Sequence, residues 1–311
     1  MNADKIKGIL LGVALGDALG APHEFKTQHN EYIGKLVHEV KLFNRFHGES
    51  IFPIGSVTDD TQMTLTLANQ IIKDKGYNRN NVILAYENWA ATGKMMGKNT
   101  RALFKGVKTV KGYQNRYDKI FSTPMEEWTQ SNGSLMRCSP LIIFSDFESM
   151  IIDVKLSNPH PVNIECEIIY LYIMKLLVMT GELPDIDSLF KYTKQIAIID
   201  ALNDVKNKVE RDIAPKEVKG WVVTAFYCTL YCIYYIKDIN EAFKYIINKK
   251  GDTDTNAAIL GGLYGAKYGF NELYADEINK YNIDIMVKNN DILKEIDSIS
   301  ESLIDIYKSS K

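Results

Sequence analysis

Residues 8–20 read Gly-Ile-Leu-Leu-Gly-Val-Ala-Leu-Gly-Asp-Ala-Leu-Gly, with glycine at 8, 12, 16 and 20. Four-residue spacing sets all of these glycines along one side of a helix. Glycine inside a helix costs roughly 0.5–1 kcal/mol relative to alanine, so a repeated stripe needs a packing reason, and close approach of another backbone supplies one. A second stripe, Gly261, Gly265 and Gly269 with Ala257 ahead of it, offers the partner. Ordinary core packing is the plain reading of such stripes in soluble proteins. If the two stripes face each other, the N-terminal helix, with Asp17 inside it, backs whatever stands at the start of the second.

Helical periodicity dominates elsewhere. Met63, Leu67, Ile71 and Ile72 mark one apolar face, Ile168, Leu171, Tyr172, Leu176 and Met179 another, and Ile292, Ile296, Ile299, Leu303 and Ile306 a third. Only Leu141–Phe144 tempts a strand reading, and it could equally be a helix start. Turn signals at Gly76-Tyr77-Asn78, Asn158-Pro159-His160-Pro161, Gly181–Pro184 and Ala214-Pro215 separate helices without a long Pro/Gly/Ser linker. The expected fold is all-α, one domain over residues 1–311, without repeats.

Two oxygen-rich stretches open helical segments almost two hundred residues apart. They are Ser56-Val57-Thr58-Asp59-Asp60-Thr61 and Gly251-Asp252-Thr253-Asp254-Thr255-Asn256, and neither holds a Lys or Arg. Each alone reads most simply as an N-cap with acidic residues in the first turn. Brought together, four carboxylates would repel unless divalent cations held them. An EF-hand is excluded for the second, because Ala257 and Leu263 stand where Gly and Glu are required. A haloacid-dehalogenase-type motif is weak there, since Asn248-Lys249-Lys250-Gly251 precedes it in place of a hydrophobic strand. A two-metal hydrolytic site is the leading reading.

Composition narrows the classes. The 311 residues are 46% hydrophobic and 24% charged with net charge −2, which suits a large core and excludes disorder. Mild basic clustering at Lys105, Lys108, Lys111, Arg116 and Lys119 reads as a solvated face, so duplex DNA binding is not expected. Four cysteines without CxxC spacing and a start without signal architecture point to a reduced, cytoplasmic protein. Trp221–Ile236 is too short to span a membrane and reads as a buried core helix.

Four motifs in order, GILLGVALGDALGAPHE at 8–24, SVTDDTQM at 56–63, NGSLMR at 132–137 and GDTDTNAAILGGLYGAKYG at 251–269, resemble the ADP-ribosylglycohydrolase family. The resemblance implies a compact orthogonal helical bundle with two Mg²⁺ or Mn²⁺ ions in a cleft. It implies a hydrolase that cleaves the bond between the ribose of ADP-ribose and an acceptor. By position it assigns Thr58, Asp59, Asp60, Asp252, Asp254 and Thr255 to the metals, with Asp17 behind them. It matches Glu24 to an acid that relatives use near the metals for ligation, water activation or gating, with Asp59 and Asp60 as the other catalytic candidates. The stretch from Ser131 through Asn132 and Gly133 to Ser134, and His160, match residues that line the ADP-ribose cleft, while Arg137 suits a structural ion pair.

The implied partner is an ADP-ribosylated protein, modified on arginine in the leading reading and on serine in the next, acted on by a monomer. Free nucleotides, modified small molecules and nucleic-acid ends form a third class of substrate, and a non-catalytic binding or structural relative is the alternative from outside enzymes. Two departures touch specificity. Pro159 stands where many relatives carry Thr before the His, and in Gly93–Arg101 many arginine-type members have an Asp at about Met95.

Overall fold

Asn2 begins the first helix by accepting a hydrogen bond from the Lys5 amide at 2.9 Å, and the glycine-striped stretch then runs unbroken as α1 (Ala3–Gly20). The computed structural model describes residues 1–25, 31–44, 48–93, 95–122, 130–213, 220–289 and 291–309. Lys94 of the Gly93–Arg101 stretch and the expected turn at Ala214-Pro215 lie outside the described residues.

A hairpin, β1 (Val40–Asn44) and β2 (Gly48–Phe52), precedes α2 (Asp59–Asp74), α3 (Arg79–Thr92), α4 (Lys98–Phe104) and α5 (Val110–Phe121). Then follow α6 (Glu148–Val154), α7 (Pro161–Thr180), α8 (Ile196–Lys206), α9 (Val222–Tyr235) and α10 (Ile239–Asn248). The chain ends with α11 (Thr253–Tyr268), α12 (Phe270–Ala275), α13 (Glu277–Asn289) and α14 (Ile292–Ser309). The fold is all-α as expected, with well over half of the described residues helical.

The two glycine stripes do face each other, antiparallel. A Cβ on Gly12 would fall on the Gly261 carbonyl, one on Gly16 on the Ala257 carbonyl, and one on Gly20 on the backbone of Thr253 and Asp254. At the other end Gly8 meets Gly265 and Gly269. Both helices are therefore buried on all sides, Gly8–Gly20 in α1 and Thr253–Ala266 in α11. α11 also touches α7, α9 and α10, so it is the central rod of the bundle. The consequence for function is positional, because the end of α1 is locked onto the start of α11.

Gly12→Val is expected to cost about 3 kcal/mol or more, at or above the upper end for overpacking, since backbone rather than a movable side chain is in the way. Gly76→Ala, where nothing lies within 4 Å, serves as control and should change the melting temperature little. Equal melting temperatures for the two variants would contradict the stripe packing.

Two local details are settled by the structure. Leu141–Phe144 is no strand; most of it lies in a 3-10 turn over Ser139–Ile143. The only ladder among the described residues is the β1–β2 hairpin, paired from Val40↔Phe52 to Asn44↔Gly48, which the sequence reading passed over.

Candidate metal centre

Thr58 is the N-cap of α2 but makes no side-chain capping bond. Its hydroxyl turns to Asp17, donating to Oδ1 at 2.8 Å, and its amide donates to Oδ2 at 2.8 Å. Thr61 adds its amide at 3.1 Å and its hydroxyl at 2.5 Å, both to Oδ2. One fully buried carboxylate on α1 thus gathers the first turn of α2 with four hydrogen bonds. A simple N-cap would have spent the Thr58 oxygen on its own helix. The same hydroxyl lies 3.1 Å from Asp60 Oδ2, so Thr58 links Asp17 to Asp60. Asp59 Oδ2 accepts from the Gly97 amide at 3.2 Å, and Asp60 Oδ1 is buried without a hydrogen-bond partner.

The second acidic turn arrives through the glycine stripe. Gly251 takes φ +88, a region natural to glycine, and its carbonyl accepts the Phe25 amide at 2.9 Å. That bond ties the backbone just after Glu24 to the residue just before Asp252. Asp252 is the N-cap of α11, again without a side-chain capping bond, and its Oδ2 accepts from Asn132 Nδ2 at 2.8 Å. Two carboxylate groups result, each with one oxygen per residue within 4.8 Å of the others: Asp17, Asp60 and Asp254, and Glu24, Asp252 and Asp254. Asp254 is common to both.

No Lys, Arg or His forms an ion pair with these five acids or with Asp59 among the described residues. Burial first, then Asp252, Asp59 and Asp17, pushes the Glu24 carboxyl up to about 8. Burial, opposed by the Gly97 amide and helped by Asp17, pushes Asp59 up to about 7. Asp60 and Asp254 are raised well above the usual carboxylate range, chiefly by burial, and Asp17 and Asp252 are raised despite the donors they face. A cluster that costs this much to ionise is built for positive charge from outside the chain.

The pH dependence has a definite sign. Folded Glu24 and Asp59 hold protons more tightly than the unfolded chain, so their stabilising contribution is complete below about pH 4 and is lost as pH rises toward 7–8. In EDTA the melting temperature should fall by roughly 5 °C or more between pH 5 and pH 8, and Mg²⁺ or Mn²⁺ should remove most of that fall. A flat profile in EDTA would contradict the clustering.

The turn that carries Asn132 is held from beneath. Asn158 Nδ2 and Asn163 Nδ2 donate to the Ser131 carbonyl at 3.0 and 2.7 Å, the Asn132 amide donates to the Gly220 carbonyl at 2.9 Å, and Arg137 donates to the Gly133 carbonyl at 2.8 Å. Asn132 reaches the acidic centre through Asp252, whereas the Ser131 hydroxyl faces Asn99 and Asn158. Ser134 is fully buried, with its side chain beside Glu167.

His160 caps α7 with Nδ1 accepting the Val162 amide at 3.2 Å and is half-buried next to Gln130, with burial lowering its proton affinity. Thr255 is buried and gives its amide to Asp254 Oδ1 at 2.8 Å. Beside the first turn of α2, Phe52, Ser56, Val57, Gln62, Thr92, Gly93 and Met95 line an uncharged groove of about 410 Å³. Sequence reasoning missed Thr61, Asn163 and the Gly97 amide. Thr61 lay inside the quoted SVTDDTQM motif and Gly97 inside the Gly93–Arg101 stretch, whereas nothing in the sequence flagged Asn163.

Comparison with known proteins agrees with this architecture. A family model described as ADP-ribosylglycohydrolase matches residues 2–305. The chain is 22% identical to the ADP-ribosyl-[dinitrogen reductase] glycohydrolase of Rhodospirillum rubrum, covering 95% of each. It is 24% identical to the ADP-ribosylarginine hydrolase Tri1 of Pseudomonas putida (strain GB-1), over 89% of this chain and 74% of that protein. A solved structure described as an ADP-ribosylglycohydrolase-related protein complex superposes with a TM-score of 0.72 over 98% of both chains at 19% identity. With a family model spanning almost its whole length and relatives named as glycohydrolases, the chain belongs to the ADP-ribosylglycohydrolase family and is a hydrolase of the glycosidase type.

Proposed function

We propose that this chain, as a single catalytic domain over residues 1–311, uses two divalent cations, Mg²⁺ or Mn²⁺, to release ADP-ribose from modified proteins. The leading substrate is ADP-ribosyl-arginine, cleaved at its N-glycosidic bond. The observation that carries the proposal is the junction of two acidic helix starts around a buried, unpartnered Asp60 oxygen, with no balancing cationic side chain among the described residues. Hard carboxylate and hydroxyl oxygens suit these ions. Thr58, Asp59, Asp60, Asp252, Asp254 and Thr255 would hold them. When bound, the ions supply Lewis-acid polarisation and charge balance at the ribose hydroxyls.

The chain's own residues do the rest. Asp17 fixes Thr58 and the first turn of α2, and Asn132 fixes Asp252. Glu24 accepts the proton of the attacking water at its carboxylate and opposes the positive charge that grows on the ribose as the glycosidic bond lengthens. The 131–134 turn offers backbone donors to the diphosphate, and His160 presents its ring beside that turn. Four buried cysteines, all free, accord with action in a reduced cytoplasm, and a monomer completes the reading.

One observation favours a second reading, O-glycosidic cleavage from serine. Among the described residues that line the groove beside the first turn of α2 there is no carboxylate for a guanidinium, and Met95 stands there. Arginine- and serine-ADP-ribosylated proteins should be incubated with Mg²⁺, Mn²⁺ or EDTA and ADP-ribose release measured. Metal-dependent release from arginine is expected, and release from serine alone would establish the second reading. Release from neither, with free ADP-ribose still bound, would make this a binding protein or turn attention to small-molecule substrates.

A further inference from the structure

Beneath the Asn132 turn lies a buried polar group that the chemistry above does not use. Arg137 is fully buried. Its Nε pairs with Asp153 Oδ2 at 3.2 Å, and Nη2 donates to the Asp153 carbonyl at 3.1 Å. Nη1 donates to the Gly133 carbonyl and to Ser157 Oγ, both at 2.8 Å. Ser157 Oγ in turn donates to Asn158 Oδ1 at 2.7 Å, and Asn158 Nδ2 donates to the Ser131 carbonyl at 3.0 Å. The carbonyls on both sides of Asn132 therefore trace back to one guanidinium. Asn132 itself reaches Asp252 Oδ2 at 2.8 Å.

We propose that Arg137 is a positioning residue for the acidic centre, acting through the Ser131–Gly133 turn and Asn132 to fix the Asp252 carboxylate. A buried ion pair is weak evidence for stability, since well-packed apolar replacements are often as stable. What the guanidinium supplies is a planar fork that holds four acceptor atoms at fixed directions, which a lysine ammonium does not reproduce. Arg137→Lys therefore keeps the charge opposite Asp153 and removes the geometry.

The inference rests on the divalent-cation reading, and its test separates the two. Mn²⁺ alone is titrated into the unmodified chain, Arg137→Lys, Asn132→Ala and the double variant, with folding checked by circular dichroism. Each single variant should lose roughly 10–100-fold in Mn²⁺ affinity, the usual effect of removing an orienting partner behind a ligand. The double variant should be no weaker than the weaker single, because both act through one chain of contacts. Multiplying losses, or Arg137→Lys with unchanged affinity, would overturn the coupling and leave the metal reading intact. No Mn²⁺ binding by the unmodified chain would remove both. Should Arg137→Lys fail to fold, Ser157→Ala leaves the ion pair in place and severs only the Asn158 branch. A several-fold loss is expected from it, and none would overturn the proposal.

Discussion

Asp254→Ala should abolish the response to divalent metal while leaving the metal-free fold intact. Asp254 is the carboxylate shared by both three-acid groups, so its loss depletes both at once. Added Mg²⁺ or Mn²⁺ stabilises a binding protein by RT ln(1 + [L]/Kd), about 2.7 kcal/mol at one hundred times Kd, and the variant should show almost none of this. Turnover should fall on the order of 10³-fold, if the ions supply several kcal/mol of charge stabilisation and each 1.36 kcal/mol is tenfold. In EDTA the variant should melt no lower than the unmodified chain, because burial and the neighbouring Glu24, Asp60, Asp252 and Asp17 already disfavour this charge. A variant that melts lower in EDTA yet keeps its metal response would make Asp254 a structural residue.

Glu24→Gln separates chemistry from metal binding. The substitution keeps shape and removes basicity, so ADP-ribose and Mn²⁺ should still bind while turnover falls on the order of 10²–10⁴-fold, the usual contribution of a positioned proton acceptor. Loss of ADP-ribose affinity in step with turnover would instead make Glu24 a ligand or gate. Unchanged turnover would pass activation of the water to Asp59 or Asp60.

The centre was legible in sequence where spacing encodes geometry. Glycines every fourth residue in two segments specify a close helix pair, and the acidic strings at 56–61 and 251–256 stand at helix starts that this pair brings together. The fate of individual side chains was less legible. Thr58 and Asp252 occupy cap positions, yet their oxygens serve Asp17 and Asn132, a choice fixed only by what lies across the interface. The sequence treats Ser131, Asn132, Gly133 and Ser134 alike, while the backbone turns Ser134 inward. Asn163 reaches the Ser131 carbonyl from 32 residues away, and such distance leaves no periodic trace. The hairpin escaped because Val40–Asn44 and Gly48–Phe52 are short, and cross-strand pairing carries no signal within one strand.

The most direct test of the account is a crystal grown with Mn²⁺ and measured for anomalous scattering. The account predicts strong peaks among the carboxylates of Asp59, Asp60, Asp252 and Asp254, with Asp17 still bonded to Thr58 and Thr61 behind them. An ordered centre without a peak, or Mn²⁺ bound only elsewhere on the molecule, would contradict it.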